Sequence, residues 1–309
     1  MIKRTVEIST HESFVHLEHS QLIIEKDGEK LGSVPIEDLG VLILDSHRLT
    51  FSSSLMASLA ENNVAIIFTD EKHLPSSLTI PFSAHTSQTK TLRKQVEAST
   101  PIKKQLWAKI ISAKIRNQSR TLELCGKDGM ALLEISRRIP SGDPKNLEAY
   151  AARIYWRKLF GDEFRRRREN QDTNMFLNYG YAIIRAAIAR AIVGTGLHPG
   201  FGVHHKSQYN PFPLADDLVE PLRPFIDRKV YSMVKDVDED ALFELNRVTK
   251  GILLELLAED CVLKKKKMPF LVAIGLYAAS VKQVILREGK KPLFPTFAIS
   301  EKDVETRTK

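Results

Sequence analysis

Three separated segments carry acidic residues and histidines that could act on a phosphate. In the first, a predicted helix over residues 145–160, Glu148 shares a face with Tyr155 and Leu159, while Arg153 and Arg157 lie opposite. A carboxylate on the inward face is a candidate metal ligand. A simpler explanation stays open, because a glutamate in a first helical turn is favoured by the helix dipole without any further role.

The second segment is a glycine-rich loop with histidines, Gly194-Thr-Gly-Leu-His-Pro-Gly-Phe-Gly-Val-His-His205. Its glycines indicate that the backbone approaches another group closely. It does not fit a dinucleotide-binding turn, because a predicted helix rather than a strand precedes it. The adjacent side chains of His204 and His205 cannot easily face one site together, so at most one binds a metal. A structural or surface role stays open for each.

The third segment is Leu214-Ala-Asp-Asp-Leu-Val-Glu-Pro-Leu-Arg-Pro224. On a helix, Asp216 and Asp217 are both neighbours of Glu220, and like charges so placed repel unless a cation or a proton relieves them. Pro221 and Pro224 remove intrahelical hydrogen bonds, so the helix must bend or end here. A solvated acidic helix start would explain the same residues without a ligand.

Together, two or three carboxylates and one imidazole suit Mg²⁺ or Mn²⁺, and manganese accepts the nitrogen more readily. Such an ion neutralises a scissile phosphate and stabilises the charge that develops during in-line displacement. Because the segments lie far apart in the sequence, spacing alone supports this site only weakly.

The elements that must position these residues change in type near residue 85. Short β-rich runs come first, with one helix among them; Asp27-Gly28 is a hairpin signal, and residues 75–77 and 81–83 are predicted to form turn and linker. The runs are predicted at residues 5–9, 14–18, 21–25, 31–34, 41–44 and 64–68, and the helix at residues 53–62.

The later part of the chain has helical periodicity. Asp143 is predicted to cap the helix that carries Glu148, with Pro144 in its first position, and Pro101 is predicted to start a new helix or kink one. The helices are predicted at residues 90–124, at a segment ending near 139, and at 145–160, 174–193, 214–235, 239–258 and 269–287. We therefore predict an α+β fold, with a small N-terminal β-rich domain at residues 1–84 and a larger all-α catalytic domain at residues 85–309.

Composition narrows the classes of function. The net charge of +8 raises the expectation of a phosphate-rich partner. Cys125 and Cys261, the two cysteines, have no metal-site spacing, so neither a zinc site nor a disulfide framework is expected, which fits a cytoplasmic location. The run at residues 270–281 is too short to span a bilayer, and Arg185 and Arg190 interrupt the run at 181–193, so no membrane-spanning helix is predicted.

The local sequences, in this order, resemble the CRISPR-associated integrase-endonuclease family of spacer acquisition. The matching blocks run from about residue 140 to 235, and the strand and helix outline extends the resemblance over nearly the whole chain. They are Glu148 followed by Ala152-Arg-Ile-Tyr-Trp156, then Asn178-Tyr-Gly-Tyr-Ala-Ile-Ile-Arg185, Gly196-Leu-His-Pro-Gly200, a histidine, and Asp217-Leu-Val-Glu-Pro-Leu-Arg-Pro224.

The resemblance implies a set of site residues. By position, Glu148, His205 and Glu220 would be the catalytic metal ligands for Mg²⁺ or Mn²⁺, with Asp217 as an auxiliary acidic residue. His204 stays open as the alternative ligand, since the spacing between histidine and acid varies in the family. A glutamate at position 220 resembles the type II-like branch, found with single-protein RNA-guided effectors.

The resemblance also implies an activity and partners. The enzyme would insert protospacer DNA into a CRISPR array through attack by DNA 3′-OH ends on phosphodiesters at the repeat boundaries. Its partners would be double-stranded protospacer and repeat DNA, a second copy of the chain, and a dimer of the small companion adaptation protein that completes a heterohexamer. The β-rich domain would serve dimerisation and partner docking, and the RNA-guided effector nuclease is a candidate further partner.

Basic residues near the predicted site are candidate DNA contacts, although four-residue charge runs are ordinarily just solvated surface. The run of lysines at 264–267 has two further explanations, an edge-strand guard and a protein-docking patch. Two functional alternatives stay open as well, a metal-dependent nuclease on branched DNA or repair intermediates and a non-catalytic DNA-binding scaffold. The candidate DNA contacts are Arg165, Arg166, Arg167, Arg168, Lys206 and Arg223.

Overall fold

Strands dominate the first 79 residues. The structure is a computed structural model that describes residues 3–71, 73–167, 172–235, 244–289 and 291–298. The elements of the N-terminal part are β1 (Arg4–Ile8), β2 (Phe14–Glu18), β3 (Gln21–Lys26), β4 (Glu29–Pro35), β5 (Leu39–Leu44), β6 (Thr50–Phe51), α1 (Ser53–Glu61), β7 (Ala65–Thr69) and β8 (Pro75–Thr79). The strands form two four-stranded sheets, in the orders β1-β5-β7-β8 and β4-β3-β2-β6.

Strand β5 is buried along its whole length because both of its faces are covered. Leu42 and Leu44 belong to the smaller core, inside the N-terminal part, whereas Val41 and Ile43 join the main core with the helices. Strand β5 pairs in parallel with β1 and β7. Such burial on both faces explains why β5 is a continuous apolar run rather than an alternating one.

Helices follow, and α6 (Thr173–Gly194) is the most apolar of the long ones. It is long and apolar enough to cross a bilayer, but 72% of its most apolar window is buried inside the protein, as expected for a core helix. Pro101 lies at the start of α3 (Thr100–Leu124), which agrees with a new helix there. The helices are α2 (Gln88–Val96), α3 (Thr100–Leu124), α4 (Met130–Ser136), α5 (Leu147–Phe160), α6 (Thr173–Gly194), α7 (Pro213–Val219), α8 (Arg223–Val234), α9 (Arg247–Glu255) and α10 (Phe270–Ile285).

The prediction of a β-rich part followed by a helical part is confirmed, but the all-α description of the second part is wrong. Three short strands, β9 (Asp260–Leu263), β10 (Lys266–Pro269) and β11 (Thr296–Phe297), form a sheet in the order β10-β9-β11. Lys264 and Lys265, both with positive φ, make the turn between β9 and β10. Strands of two to four residues are too short to show an alternating pattern. Lys266 and Lys267 lie on the edge strand, where charge discourages further pairing.

Three local predictions also need correction. Residues 75–77 begin β8, which pairs antiparallel with β7 at the sheet edge; an exposed edge strand needs few apolar residues. The helix predicted at 239–258 begins at Arg247, after the capping residue Asn246, and residues 239–243 lie outside the described residues. Helix α5 is capped by Asn146 rather than Asp143, and Pro144 precedes the helix.

Candidate active site

Glu148 stands in the first turn of α5, and two side chains fix where that turn begins. Asn146, in the left-handed conformation, accepts a hydrogen bond from the Ala149 N–H. Asp143 accepts from the N–H groups of Leu147 and Glu148, at 2.9 and 3.0 Å. Asp143 therefore satisfies free helix donors although it is not the cap. The Glu148 side chain is 24% exposed.

Lys114, in the middle of α3, joins Glu148 to Glu220. Its Nζ lies 2.6 Å from Glu148 Oε1 and 2.5 Å from Glu220 Oε2. Nε of Arg223 lies 3.0 Å from the other oxygen, Glu220 Oε1. Burial alone would raise the pKa of Glu220, but Arg223 and Lys114 lower it to about 2, so this carboxylate is ionised.

The predicted bend of the acidic segment is confirmed. Helix α7 ends at Val219, a 3-10 turn covers Glu220–Leu222, and α8 begins at Arg223. Asn117 and Thr121 of α3 donate hydrogen bonds to the carbonyls of Pro221 and Pro224, at 2.8 and 3.2 Å. The bend is therefore fixed against the helix that carries Lys114.

Each of the three acids in this segment has its own partner, which removes the repulsion expected among them. Asp216 forms an ion pair with Arg185 at 2.5 Å and accepts from Asn210 Nδ2 at 2.7 Å. Asp217 is fully buried and accepts from the N–H groups of residues 203, 204 and 205 at 2.6 to 3.1 Å. Glu220 is paired with Lys114, which also contacts Glu148.

Asp217 also holds the imidazole of His205, with 2.7 Å between His205 Nδ1 and Asp217 Oδ1. This hydrogen bond raises the pKa of His205, partly offset by burial. A Cβ at Gly202 would lie 2.5 Å from the His205 carbonyl oxygen and 2.9 Å from Asp217 Oδ2. The glycine therefore lets the loop close over the carboxylate. Glu220 and His205 are near enough for each to shift the pKa of the other.

The neighbouring His204 has a different environment. Its ring stacks on Trp107 with a centroid distance of 4.0 Å and an interplanar angle of 1°, and Trp107 is 2% exposed. His205 meets the same indole edge-on, at 5.8 Å. His204 packs on Trp107 and His205 is held by Asp217, and the planes of the two rings are 86° apart. The expectation that at most one of them binds a metal stays a prediction.

Sequence reasoning missed the residues of α2 and α3 that complete the site. Gln95 donates from Nε2 to the carbonyls of His198 and Phe201 and accepts from the His198 N–H, which ties the histidine loop to α2. Trp107 and Lys114, seven positions apart, lie on one face of α3. That helical spacing was visible in the sequence, but nothing marked these residues as parts of a site.

A cavity of about 720 Å³ opens beside the histidines. Helix α3 contributes Lys103, Lys104 and Trp107 to its wall, and the loop contributes His204, His205 and Lys206. Lys206, a predicted DNA contact, therefore lines the space next to His205. The DNA-contact prediction itself stays a prediction.

The other predicted DNA contacts differ in what they touch. Arg166 donates to Asn174 and Asn178 and lies over the Tyr181 ring, so it has internal partners. Arg165 and Arg167 are exposed, and Arg168 lies outside the described residues. Arg223 lies against Glu220 and over the same Tyr181 ring, within the site itself.

The oxygen and nitrogen donors of Glu148, Glu220 and His205 suit a divalent ion. Within the described residues, however, no group of three Asp, Glu, His or Cys side chains is close enough together to hold a metal ion. Lys114 lies between the glutamates instead. Glu220 Oε2 is buried, and the ammonium of Lys114 lies 2.5 Å from it. An oxygen of this kind is a suitable ligand for a cation.

Comparisons with known proteins show the family of the chain. The family model described as CRISPR associated protein Cas1 matches residues 6–255. The chain belongs to the Cas1 family. It is 35% identical over 279 residues to the CRISPR-associated endonuclease Cas1 of Neisseria meningitidis serogroup C, covering 90% of each chain. It is 28% identical over 232 residues to a Cas1 endonuclease of Saccharolobus solfataricus, covering 72% of this chain and 73% of that one.

Solved structures share the fold at low sequence identity. A casposase bound to integration product matches with a TM-score of 0.76 and 18% identity, covering 100% of this chain and 98% of that one. A Cas1 protein from Thermotoga maritima matches with a TM-score of 0.75 and 16% identity, covering 96% and 100%. The chain in a Cas6-RT-Cas1–Cas2 complex matches with a TM-score of 0.72 and 17% identity, covering 93% of this chain and 35% of that one.

Proposed function

We propose that this Cas1-family protein is a metal-dependent DNA integrase and endonuclease that inserts protospacer DNA into a CRISPR array. One observation carries the proposal. Glu148 and Glu220, 72 positions apart in sequence, both contact the ammonium of Lys114. His205 is close enough to Glu220 to influence its pKa and lies on a loop that Asp217 fixes. Relatives named CRISPR-associated endonuclease, with 35% identity in one case, support the nuclease class.

Glu148, Glu220 and His205 would hold the Mg²⁺ or Mn²⁺ ion. Bound there, the ion would neutralise the attacked phosphate and stabilise the charge that develops in the transition state. The hydrogen bond to Asp217 places a proton on His205 Nδ1, so in the neutral ring Nε2 would bind the ion through its lone pair. Asp217 would thus be a positioning residue, which gives a physical meaning to its predicted auxiliary role.

The proposed joining reaction is a transesterification between two DNA strands. A DNA 3′-OH attacks a phosphorus of the repeat boundary; one P–O bond forms, the bond to the 3′-oxygen of the target strand breaks, and the proton passes to the departing oxygen through solvent. The number of phosphodiesters is conserved, so no external energy source is needed. Lys206, which lines the cavity beside His205, and Arg223, which pairs with Glu220, would contact phosphates near the reacting strands.

The predicted partners form part of the proposal. The complex named Cas6-RT-Cas1–Cas2, whose chain shares this fold, supports a small companion protein of the Cas2 kind. The proposed working unit is a heterohexamer, in which homodimers of this chain are joined by a dimer of the companion protein. Its proposed location is the cytoplasm. The type II-like assignment rests on Glu220.

Strand transfer tests the proposal. Wild-type protein, the companion protein, Mn²⁺, a short duplex and a supercoiled plasmid that contains the repeat should give integrated product. Glu148→Ala, His205→Ala and Glu220→Gln should each reduce it by at least about a hundredfold, as expected for lost metal ligands. The neighbouring Asp216→Asn, whose partner is Arg185, should keep most of the activity. Undiminished integration by Glu148→Ala would refute the site.

A nuclease that acts mainly on branched DNA would use the same ligands with water as the nucleophile, and the endonuclease names of the relatives favour keeping it as the second candidate. A dideoxy 3′ end separates the two, because it stops joining and leaves hydrolysis intact. Binding of DNA without joining or cleavage in any divalent metal would indicate the non-catalytic scaffold.

A further inference from the structure

Lys114 occupies the position at which the two glutamates of the site converge. Its side chain is 12% exposed, and its ammonium touches one oxygen of each carboxylate, at 2.6 and 2.5 Å. Lys103 and Trp107 precede it on the same face of α3 and line the cavity beside His205. The lysine therefore reaches the carboxylates from the face of α3 that carries Lys103 and Trp107.

We propose that Lys114 is a resident cation of the metal site, which holds Glu148 and Glu220 together until a divalent ion displaces it. The inference rests on the proposed function, which makes these glutamates metal ligands. A charged ammonium has three donors and no lone pair, so it cannot itself bind a metal. The ion and the ammonium compete for the same carboxylate oxygens.

Electrostatics favours exchange over joint occupancy. A divalent ion bound to both glutamates would stand a few ångströms from an ammonium that kept its place, and two positive charges so close repel strongly in a buried site. Once the ion balances the two carboxylates, the ammonium of Lys114 no longer has a carboxylate charge of its own in the site. Lys114 would then be available for a DNA phosphate, so the exchange would prepare the site for its substrate.

If Lys114 competes with the ion for the carboxylates, its presence must weaken metal binding. Removing the ammonium should tighten Mn²⁺ binding, because the ion no longer has to break two ion pairs. It should also destabilise the metal-free protein, since Glu148 and Glu220 would then face each other with less compensation. A lysine with a purely structural role would lower stability in the same way but would not tighten metal binding.

Mn²⁺ binding to the full chain, without DNA, tests the inference. Protein stripped with EDTA is titrated with Mn²⁺, and free Mn²⁺ is followed by electron paramagnetic resonance. Lys114→Met and Lys114→Gln should lower the Kd by about tenfold or more, given the charge that the ion no longer displaces. Lys109→Met, on the same helix but lining a different groove, is the matched control and should leave the Kd unchanged. Metal-free melting temperatures are measured in parallel.

The outcomes separate the inference from the proposed function. Absence of Mn²⁺ binding by the wild type, or its persistence in Glu220→Gln, overturns both. Binding that is lost in Glu220→Gln but is equal or weaker in the Lys114 variants overturns only the displacement of Lys114. The glutamine variant keeps a donor toward the carboxylates, so it guards against a methionine variant that fails to fold without metal.

Discussion

The imidazole of His205 and the carboxylate of Asp217 share a hydrogen bond of 2.7 Å, and the same carboxylate accepts three backbone N–H groups of the histidine loop. Asp217 is fully buried, so its charge is balanced by these donors rather than by water. One side chain thus fixes the loop, the orientation of the ring and the position of its proton.

Asp217→Asn should therefore impair both the site and the loop. The amide keeps an oxygen acceptor, but its NH₂ group faces donors that the carboxylate oxygen satisfied. We expect strand transfer to fall by about 10- to 100-fold and Mn²⁺ affinity to weaken, as for other residues that orient a ligand histidine. Metal titration and integration assays check this, with Asp216→Asn as control. Equal effects of the two substitutions would contradict a specific role for Asp217.

The two adjacent histidines should separate in their effects. His205→Ala should abolish strand transfer and metal binding, because it removes the ring that lies beside Glu220. His204→Phe should keep activity within about threefold and preserve stability, since a phenyl ring can stack on Trp107 as the imidazole does. His204→Ala should lower the melting temperature instead. Retained activity in His205→Ala, with loss in His204→Phe, would assign the ligand to His204.

The strand-rich start, the helical remainder and the bend in the acidic segment could be predicted from the sequence, because each depends on local periodicity or on proline chemistry. Pro221 shows this, since a residue without an N–H cannot continue the hydrogen bonds of a helix past its first turn. Lys114 could not be found in this way. Its role depends on the packing of α3 against α5 and the bend, and a lysine on a helix face is ordinarily solvated.

The arginine run should divide into structural and DNA-contacting members. Arg166→Ala should lower the melting temperature, because it leaves the side chains of Asn174 and Asn178 without this donor. Arg165 and Arg167 are exposed, so replacing both with alanine should leave stability unchanged and weaken DNA binding. If each contacts a phosphate, the slope of log K against log salt should become shallower by about 2. An unchanged slope would remove these two from the interface.

Lys250 of α9 connects the helical part to the sheet. It is 3% exposed and forms ion pairs with Asp45, at the end of β5, and with Glu7 of β1. Lys250→Met should lower the free energy of unfolding by about 3–5 kcal/mol, since Asp45 would stay buried with only Thr69 and His73 as side-chain partners. Lys229→Met, which breaks ion pairs to partly exposed glutamates, should cost about 1 kcal/mol or less. Urea unfolding compares the two, and equal costs would contradict the buried-pair explanation.

Asp227 should make stability depend on pH. It accepts hydrogen bonds from the hydroxyls of Tyr155 and Tyr181, yet burial is the dominant influence and raises its pKa from 3.8 to about 6. Because the folded pKa exceeds the unfolded one, the stabilising contribution of this carboxyl is complete below about pH 4 and is lost as the pH rises through about 6.

Asp227→Asn should cancel that loss, because an amide stays neutral while it keeps one oxygen acceptor and offers a donor to the second hydroxyl. We expect the variant to match or fall slightly below the wild type near pH 4.5, and to exceed it by about 2–3 kcal/mol at pH 7.5. Urea unfolding of both proteins at several pH values measures the difference in stability. The contributions of the histidines are the same in both proteins and cancel in that difference. A stability difference that does not change with pH would show that Asp227 keeps an ordinary pKa in the folded protein.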